Sequence, residues 1–245
     1  MVWDWLCLGV GAKGGVLRKL VLGGNQIVCL GGKQDQGRGD MNDAKNLEYV
    51  GELVNEPILF RAAIAAIDGE NSQDPKRIGE EGYELYFSKV LFDWVLKLEK
   101  TPSEALLLAT RSQHICRWHS PRLDYPEGRV GYLKWRSDLK TFHAEKSGEV
   151  LKIAGYGEDI LDRVRDLNLK RNLKSDPECQ VLEDALCLVF LEKQFAKFRE
   201  KTDEAKMVDI LRKSWAKMSE VGRAAALELP MGEDELRLVK AALAG

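Results

Sequence analysis

From Asn55 onward, apolar residues return every three or four positions, the repeat of one face of an α-helix. The repeat predicts helices over 57–67, 81–98, 129–151, 159–169, 203–218 and 233–243. Two further helices announce themselves by their starts. Thr101-Pro102-Ser103-Glu104 reads as a capping box with an early proline, opening a helix to about residue 119. Asp176-Pro177 caps another from 178 to about 200. Pro121, Pro126 and Gly128 mark 120–128 as a loop. No run alternates as a strand does. Connections are short, so neighbouring helices should pack antiparallel. The expected fold is all-α, a single compact multi-helix bundle over 55–245.

Residues 1–54 follow a different pattern. Half of the 22 glycines lie at or before Gly51, several as pairs, and no Ser or Thr precedes Ser72. Glycine at that density weakens helices and strands alike, so the stretch is expected to be a poorly ordered extension. Gly9-x-Gly11-x-x-Gly14 matches a dinucleotide fingerprint, but that motif needs a strand, a long helix and a parallel sheet, and Gly23-Gly24 interrupts the following segment. The apolar Met1–Leu8 stretch contains Asp4 and lacks a preceding basic region, so it is a poor secretory signal.

Composition narrows the function classes. Of 245 residues, 44% are apolar and 31% charged, enough for one sizeable core. The formal net charge is −2, which gives no global basic field for nucleic acid. No apolar run is long enough to span a bilayer, so no membrane partner is expected. Five cysteines form no C-x-x-C pair, which fits a reducing, cytoplasmic setting. Nothing in the pattern specifies an oligomeric state.

Three predicted helices place polar residues on stripes that should face the core. Leu107, Arg111, His114 and Trp118 share one face, and Tyr132, Arg136, Leu139, His143 and Val150 share another. Val181, Asp184, Cys187, Leu188, Leu191 and Phe195 share a third, with Asp184 its one charge. A buried carboxylate needs a partner, and His114, His143, Arg111 and Arg136 are candidates. The bland reading is a structural polar cluster that fixes helix register. The sharper one is a metal site in which His114, His143 and Asp184 hold Mn(II), Fe(II) or Zn(II). Glu183 or Glu145 would then serve as the base. Arg111, Arg117, Arg122, Arg129 and Arg136, interleaved with Trp118, Tyr125, Tyr132 and Trp135, suit an anionic ligand such as a phosphorylated small molecule or nucleotide. An RNA end, stacked on those rings, is the lesser alternative.

Longer motifs carry a family resemblance. Arg-Ser-Gln-His-Ile-Cys-Arg-Trp (111–118), Pro121-Arg122, Tyr125-Pro126, Arg-Val-Gly-Tyr-Leu-Lys-Trp-Arg (129–136) and Phe142-His143-Ala144-Glu145 resemble the domain of unknown function 4202 family. Gly155-Tyr156, Asp176-Pro177-Glu178, the 182–192 run and Lys213-Ser-Trp215 continue the resemblance, which spans about 60–229. The resemblance implies no settled activity, although members are often labelled glutamyl-tRNA synthetase. Lys217-Met218-Ser219-Glu220 is similar to the lysine motif of class I synthetases. Such enzymes need a parallel nucleotide-binding sheet, which this helical pattern does not predict. The order His114, His143, Asp184 is also similar, distantly, to the metal-dependent HD phosphohydrolases, which implies phosphoester hydrolysis. The aspartate that follows histidine in that family is replaced here by Ala144. Three functions therefore stand open: a metal-dependent hydrolase, a metal-free nucleotide- or RNA-binding module, and a helical interaction scaffold.

Overall fold

Several helix starts in this chain follow the capping chemistry of its sequence. In the computed structural model, which describes residues 28–29 and 36–244, the cap of α4 (Glu104–Ser112) is Ser103, which accepts the Leu106 N–H, rather than Thr101, so Pro102 precedes the helix. Asp176 accepts the N–H groups of Glu178 and Cys179 and opens α7 (Pro177–Val189), with proline in the first turn. Asp203 and Ser219 likewise cap α9 (Glu204–Trp215) and α10 (Glu220–Leu227). Gly155, at φ 108°, closes α5 (Gly128–Ala154) in the left-handed conformation that glycine adopts without strain.

The remaining helices are α1 (Gln36–Gly51), α2 (Pro57–Asn71), α3 (Tyr83–Leu98), α6 (Glu158–Asn168), α8 (Phe195–Arg199) and α11 (Glu233–Leu243). α4 is the central one. Every residue from Ala105 to Ser112 is buried, and the helix packs against α2, α3, α5, α6 and α7. An apolar surface on all sides requires that position. α5 lies along α6 and α2, α3 along α7, and α9 pairs with α11. Cys116, Cys179 and Cys187 are buried free thiols. Among the described residues, no helix is long and apolar enough to cross a membrane.

The expected all-α bundle is the observed one, with local differences. α1 lies inside the stretch read as an extension. Its Asp43 and Val50 are buried, so the folded part begins before Asn55. The Gly9–Gly14 motif lies outside the described residues. Three two-residue strands, β1 (Val28–Cys29), β2 (Arg77–Ile78) and β3 (Glu81–Gly82), form a small sheet that alternation cannot signal at that length. β1 runs parallel to β2 with Val28 opposite Arg77, and β2 runs antiparallel to β3 with Ile78 opposite Glu81.

The helix expected to reach residue 119 stops at Ser112. There α2, running past the predicted stop at Asp68-Gly69, presents Asn71 and Glu70. The Asn71 carboxamide accepts the Cys116 N–H at 3.2 Å, and Glu70 accepts from the Cys116 thiol. Cys116 adopts φ 52°, a left-handed turn that costs a non-glycine residue about 1 kcal/mol. Beyond α7, Phe190–Gln194 forms a π-helical turn before α8.

Candidate anion-binding site

The turn after α4 sets the site in place. With α4 ended and Cys116 left-handed, the Ile115 carbonyl faces α5 and accepts from His143 Nδ1 at 2.8 Å. A carbonyl can only accept, so Nδ1 carries the proton. His114 stacks on His143 with ring centroids 5.6 Å apart and on Phe87 at 4.6 Å. Its Nδ1 lies 3.3 Å from Glu84 Oε2, and its Nε2 lies 3.4 Å from an Arg117 nitrogen. A guanidinium can only donate, so His114 accepts through Nε2 and donates to Glu84 through Nδ1.

Both imidazoles are buried and held neutral. Burial lowers their pKa values well below 6.5, and the nearby charges of Arg117 and Arg136 push the same way. Glu84 moves oppositely: burial raises its carboxyl to about 7, only partly offset by Arg117 and Lys76.

These rings line a cavity of about 700 Å³. The turn after α4 contributes Gln113, His114 and Arg117. α5 contributes Arg136, Lys140 and His143, and the end of α6 with the turn beyond it contributes Asn168, Lys170 and Arg171. Glu183 of α7, Lys217 after α9, and Ser137 and Thr141 of α5 add to the polar wall. Among the described residues, six cationic side chains thus share the wall with one carboxylate, in a chain whose net charge is −2. Glu183 accepts from Lys170 and, at 3.3 Å, from Lys217. Burial pushes its pKa up, but the two ammonium groups more than reverse this and hold it ionised. Lys170, at the cavity wall, sits at φ 51°, the left-handed conformation that non-glycine residues rarely adopt.

The residues singled out by sequence divide into two groups. His114, His143, Arg117, Arg136 and Glu183 come together here. The others do not join them. Arg111 is fully buried elsewhere, bonded to Asp68 at 2.6 and 2.7 Å and to Asp43 at 2.7 and 2.9 Å. Arg122 donates to the carbonyls of Tyr125 and Pro126 and ties down its own loop. Arg129 and Glu145 are exposed and do not line the cavity. Trp135 is buried, donates to the Ser120 carbonyl and lies beneath the guanidinium groups of Arg117 and Arg136. Tyr132 is buried beside it, and half-buried Trp118 packs on the core, edge-on to His119. Neither Tyr132 nor Trp135 offers an open ring face to a base.

Asp184 is the main departure. Its carboxylate accepts from Gln180 Nε2 at 2.9 Å, from the Ser219 N–H at 2.9 Å and from the Ser219 hydroxyl, and it does not line the cavity. Its partner is the start of α10, not an imidazole. The three-ligand metal set of His114, His143 and Asp184 is therefore not assembled. Among the described residues, no group of three or more His, Cys, Asp or Glu side chains is arranged to hold a metal ion.

Lys140, Lys170, Arg171, Gln113 and Asn168 are not among the candidates the sequence offers, and Lys217 enters there only through its likeness to the synthetase lysine motif. One signal was available: Arg136, Lys140 and His143 lie at i, i+4 and i+7, one face of α5.

The family model described as Domain of unknown function (DUF4202) matches residues 61–239. The chain belongs to this family. No curated protein and no solved structure matches it. The DUF4202 match contains every described residue that lines the cavity and excludes α1, so Asp43 lies outside it while its partner Arg111 lies inside.

Proposed function

We propose that this DUF4202 protein binds a small anionic molecule, phosphorylated or carboxylated, in the cavity between α5, α7 and the turns after α4, α6 and α9. The observation that carries the reading is the gathering, among the described residues, of six cationic side chains and one acidic one around a single cavity. Like charges repel; Glu84, Asp166 and Glu183 offset part of that cost, and a bound anion would offset more. The volume of about 700 Å³ suits a nucleotide or a sugar phosphate. The burial of Tyr132 and Trp135 favours such a ligand over an RNA end, which needs open rings to stack on.

Thermal melts and calorimetry with inorganic pyrophosphate test this. Ligand at about 100 times its Kd should stabilise the protein by about 2.7 kcal/mol. Binding should weaken as salt rises, and Arg136→Ala with Lys140→Ala should weaken it about tenfold or more. Salt-independent binding, or none from micromolar to millimolar pyrophosphate, would count against the reading.

A further inference from the structure

The cavity wall carries a second chemical pattern, opposite in sign to the first. Gln113, His143 and Asn168 line it at 5%, 3% and 0% exposure, and each has a buried acceptor atom with no hydrogen-bond partner among the described residues: Gln113 Oε1, His143 Nε2 and Asn168 Oδ1. Buried polar atoms in folded proteins are nearly always paired, so three on one cavity call for an explanation.

Two of the three assignments follow from their neighbours. His143 donates through Nδ1 to the Ile115 carbonyl, so its neutral ring leaves a lone pair on Nε2. Asn168 directs its amide nitrogen at Ser147 Oγ, 3.0 Å away, and at Ser112 Oγ, 3.4 Å away. Both hydroxyls have already given their protons, to the carbonyls of His143 and Leu108, so they can only accept. The amide is thus oriented by its partners, and Oδ1 is left over. An anion would satisfy none of these three atoms, because an anion brings acceptors.

We infer that the ligand joins its anionic group to a body rich in hydroxyl or amino donors, as in a sugar phosphate or a nucleotide, and that Gln113, His143 and Asn168 receive those donors. This rests on the proposed anion site and specifies what else its ligand must carry. The cationic side chains hold the charged end, and the three acceptors select the body. A simple alkyl phosphate would meet only the first requirement.

Calorimetry on the full chain separates the two claims. Methyl phosphate probes the anion site alone. Ribose 5-phosphate adds hydroxyls, and adenosine monophosphate adds an amino group as well. The inference expects ribose 5-phosphate or the nucleotide to bind at least about tenfold tighter than methyl phosphate. A gain with ribose 5-phosphate identifies hydroxyls, and a gain with the nucleotide alone identifies the base. Gln113→Met keeps the side-chain length and removes the acceptor, and His143→Phe keeps a ring. Either should shrink the affinity ratio between the donor-bearing ligand and methyl phosphate, with folding checked by melting temperature. Should His143→Phe fail to fold, Gln113→Met decides. Equal affinities for all three phosphates would overturn the inference and leave the anion site standing. An undiminished ratio in the folded variants would also overturn it. Absence of salt-sensitive binding by any of the three would remove both claims.

Discussion

Arg111 separates a structural charge from a functional one. Its guanidinium is buried inside α4, where burial alone would lower its pKa. Hydrogen bonds and charge from Asp68 and Asp43 more than reverse this and hold it protonated. Its forked donors serve both carboxylates at once, which a lysine ammonium cannot do. Arg111→Lys should therefore lower the free energy of unfolding by about 3–5 kcal/mol in urea titrations. Pyrophosphate affinity of the folded variant should be unchanged. Loss of affinity with intact stability would return Arg111 to the binding site. The sequence showed that a charge on this apolar stripe needs a partner. It did not show which, because Asp43 is 68 residues away in a glycine-rich stretch that local propensity reads as unstructured. Asp184 was legible in the same limited way: the need for partners was clear, but the donors on Ser219 and Gln180 were not.

At the scale of elements, α10 shows how one helix start is built around a buried carboxylate. Ser219 caps α10 by accepting the Gly222 N–H at 3.1 Å, while its own N–H and hydroxyl donate to Asp184 on α7. Gly222 permits this approach. A Cβ there would lie 2.6 Å from Asp184 Cγ and 2.9 Å from its Cβ. Alanine normally favours a helix interior over glycine by about 1 kcal/mol. Overpacking a tight contact costs about 1–3 kcal/mol. Here the contact should win, so Gly222→Ala should lower the melting temperature. A higher one would mean that α7 and α10 can separate at little cost. The long helices were readable because three or more turns repeat the apolar stripe between recognisable caps, and the expected 233–243 helix is α11. α10 was not, since eight residues make about two turns. The stop of α4 was hidden for another reason. Gln113-His-Ile-Cys-Arg-Trp contains no Gly or Pro, and the helix ends because Asn71, from α2, takes the Cys116 N–H.

Across the whole molecule, five separate segments bring their polar residues to one cavity, and this convergence is what no single helix face could reveal. It also gives the fold a pH signature. Glu84, near the start of α3, supports His114 from behind and is faced by Arg117, Lys76, Asp74 and Tyr83. Its carboxyl titrates near 7 in the folded chain against 4.5 when unperturbed. Between those values the folded state holds a proton that the unfolded state has released. Stability from this group is therefore complete below about pH 4.5 and is lost as pH rises to about 7, at about 1.4 kcal/mol per unit. The imidazoles of His114 and His143 act the other way. Below pH 6.5 the unfolded chain takes up two protons that the folded chain refuses, so stability falls as pH falls. The two imidazoles outweigh the one carboxylate until about pH 7, because each is still half protonated in the unfolded chain at pH 6.5. These three groups together place the stability maximum near pH 7. Glu84→Gln keeps an oxygen to accept from His114 Nδ1 and removes the charge. Urea titrations should find the variant equal to the parent near pH 4.5 and more stable at pH 8, by up to about 3 kcal/mol. A variant less stable than the parent at pH 8 would mean that Arg117 and Lys76 repay the desolvation of Glu84 in full. The carboxylate would then be ionised throughout this range, and the arm of the profile above about pH 7 would be flat.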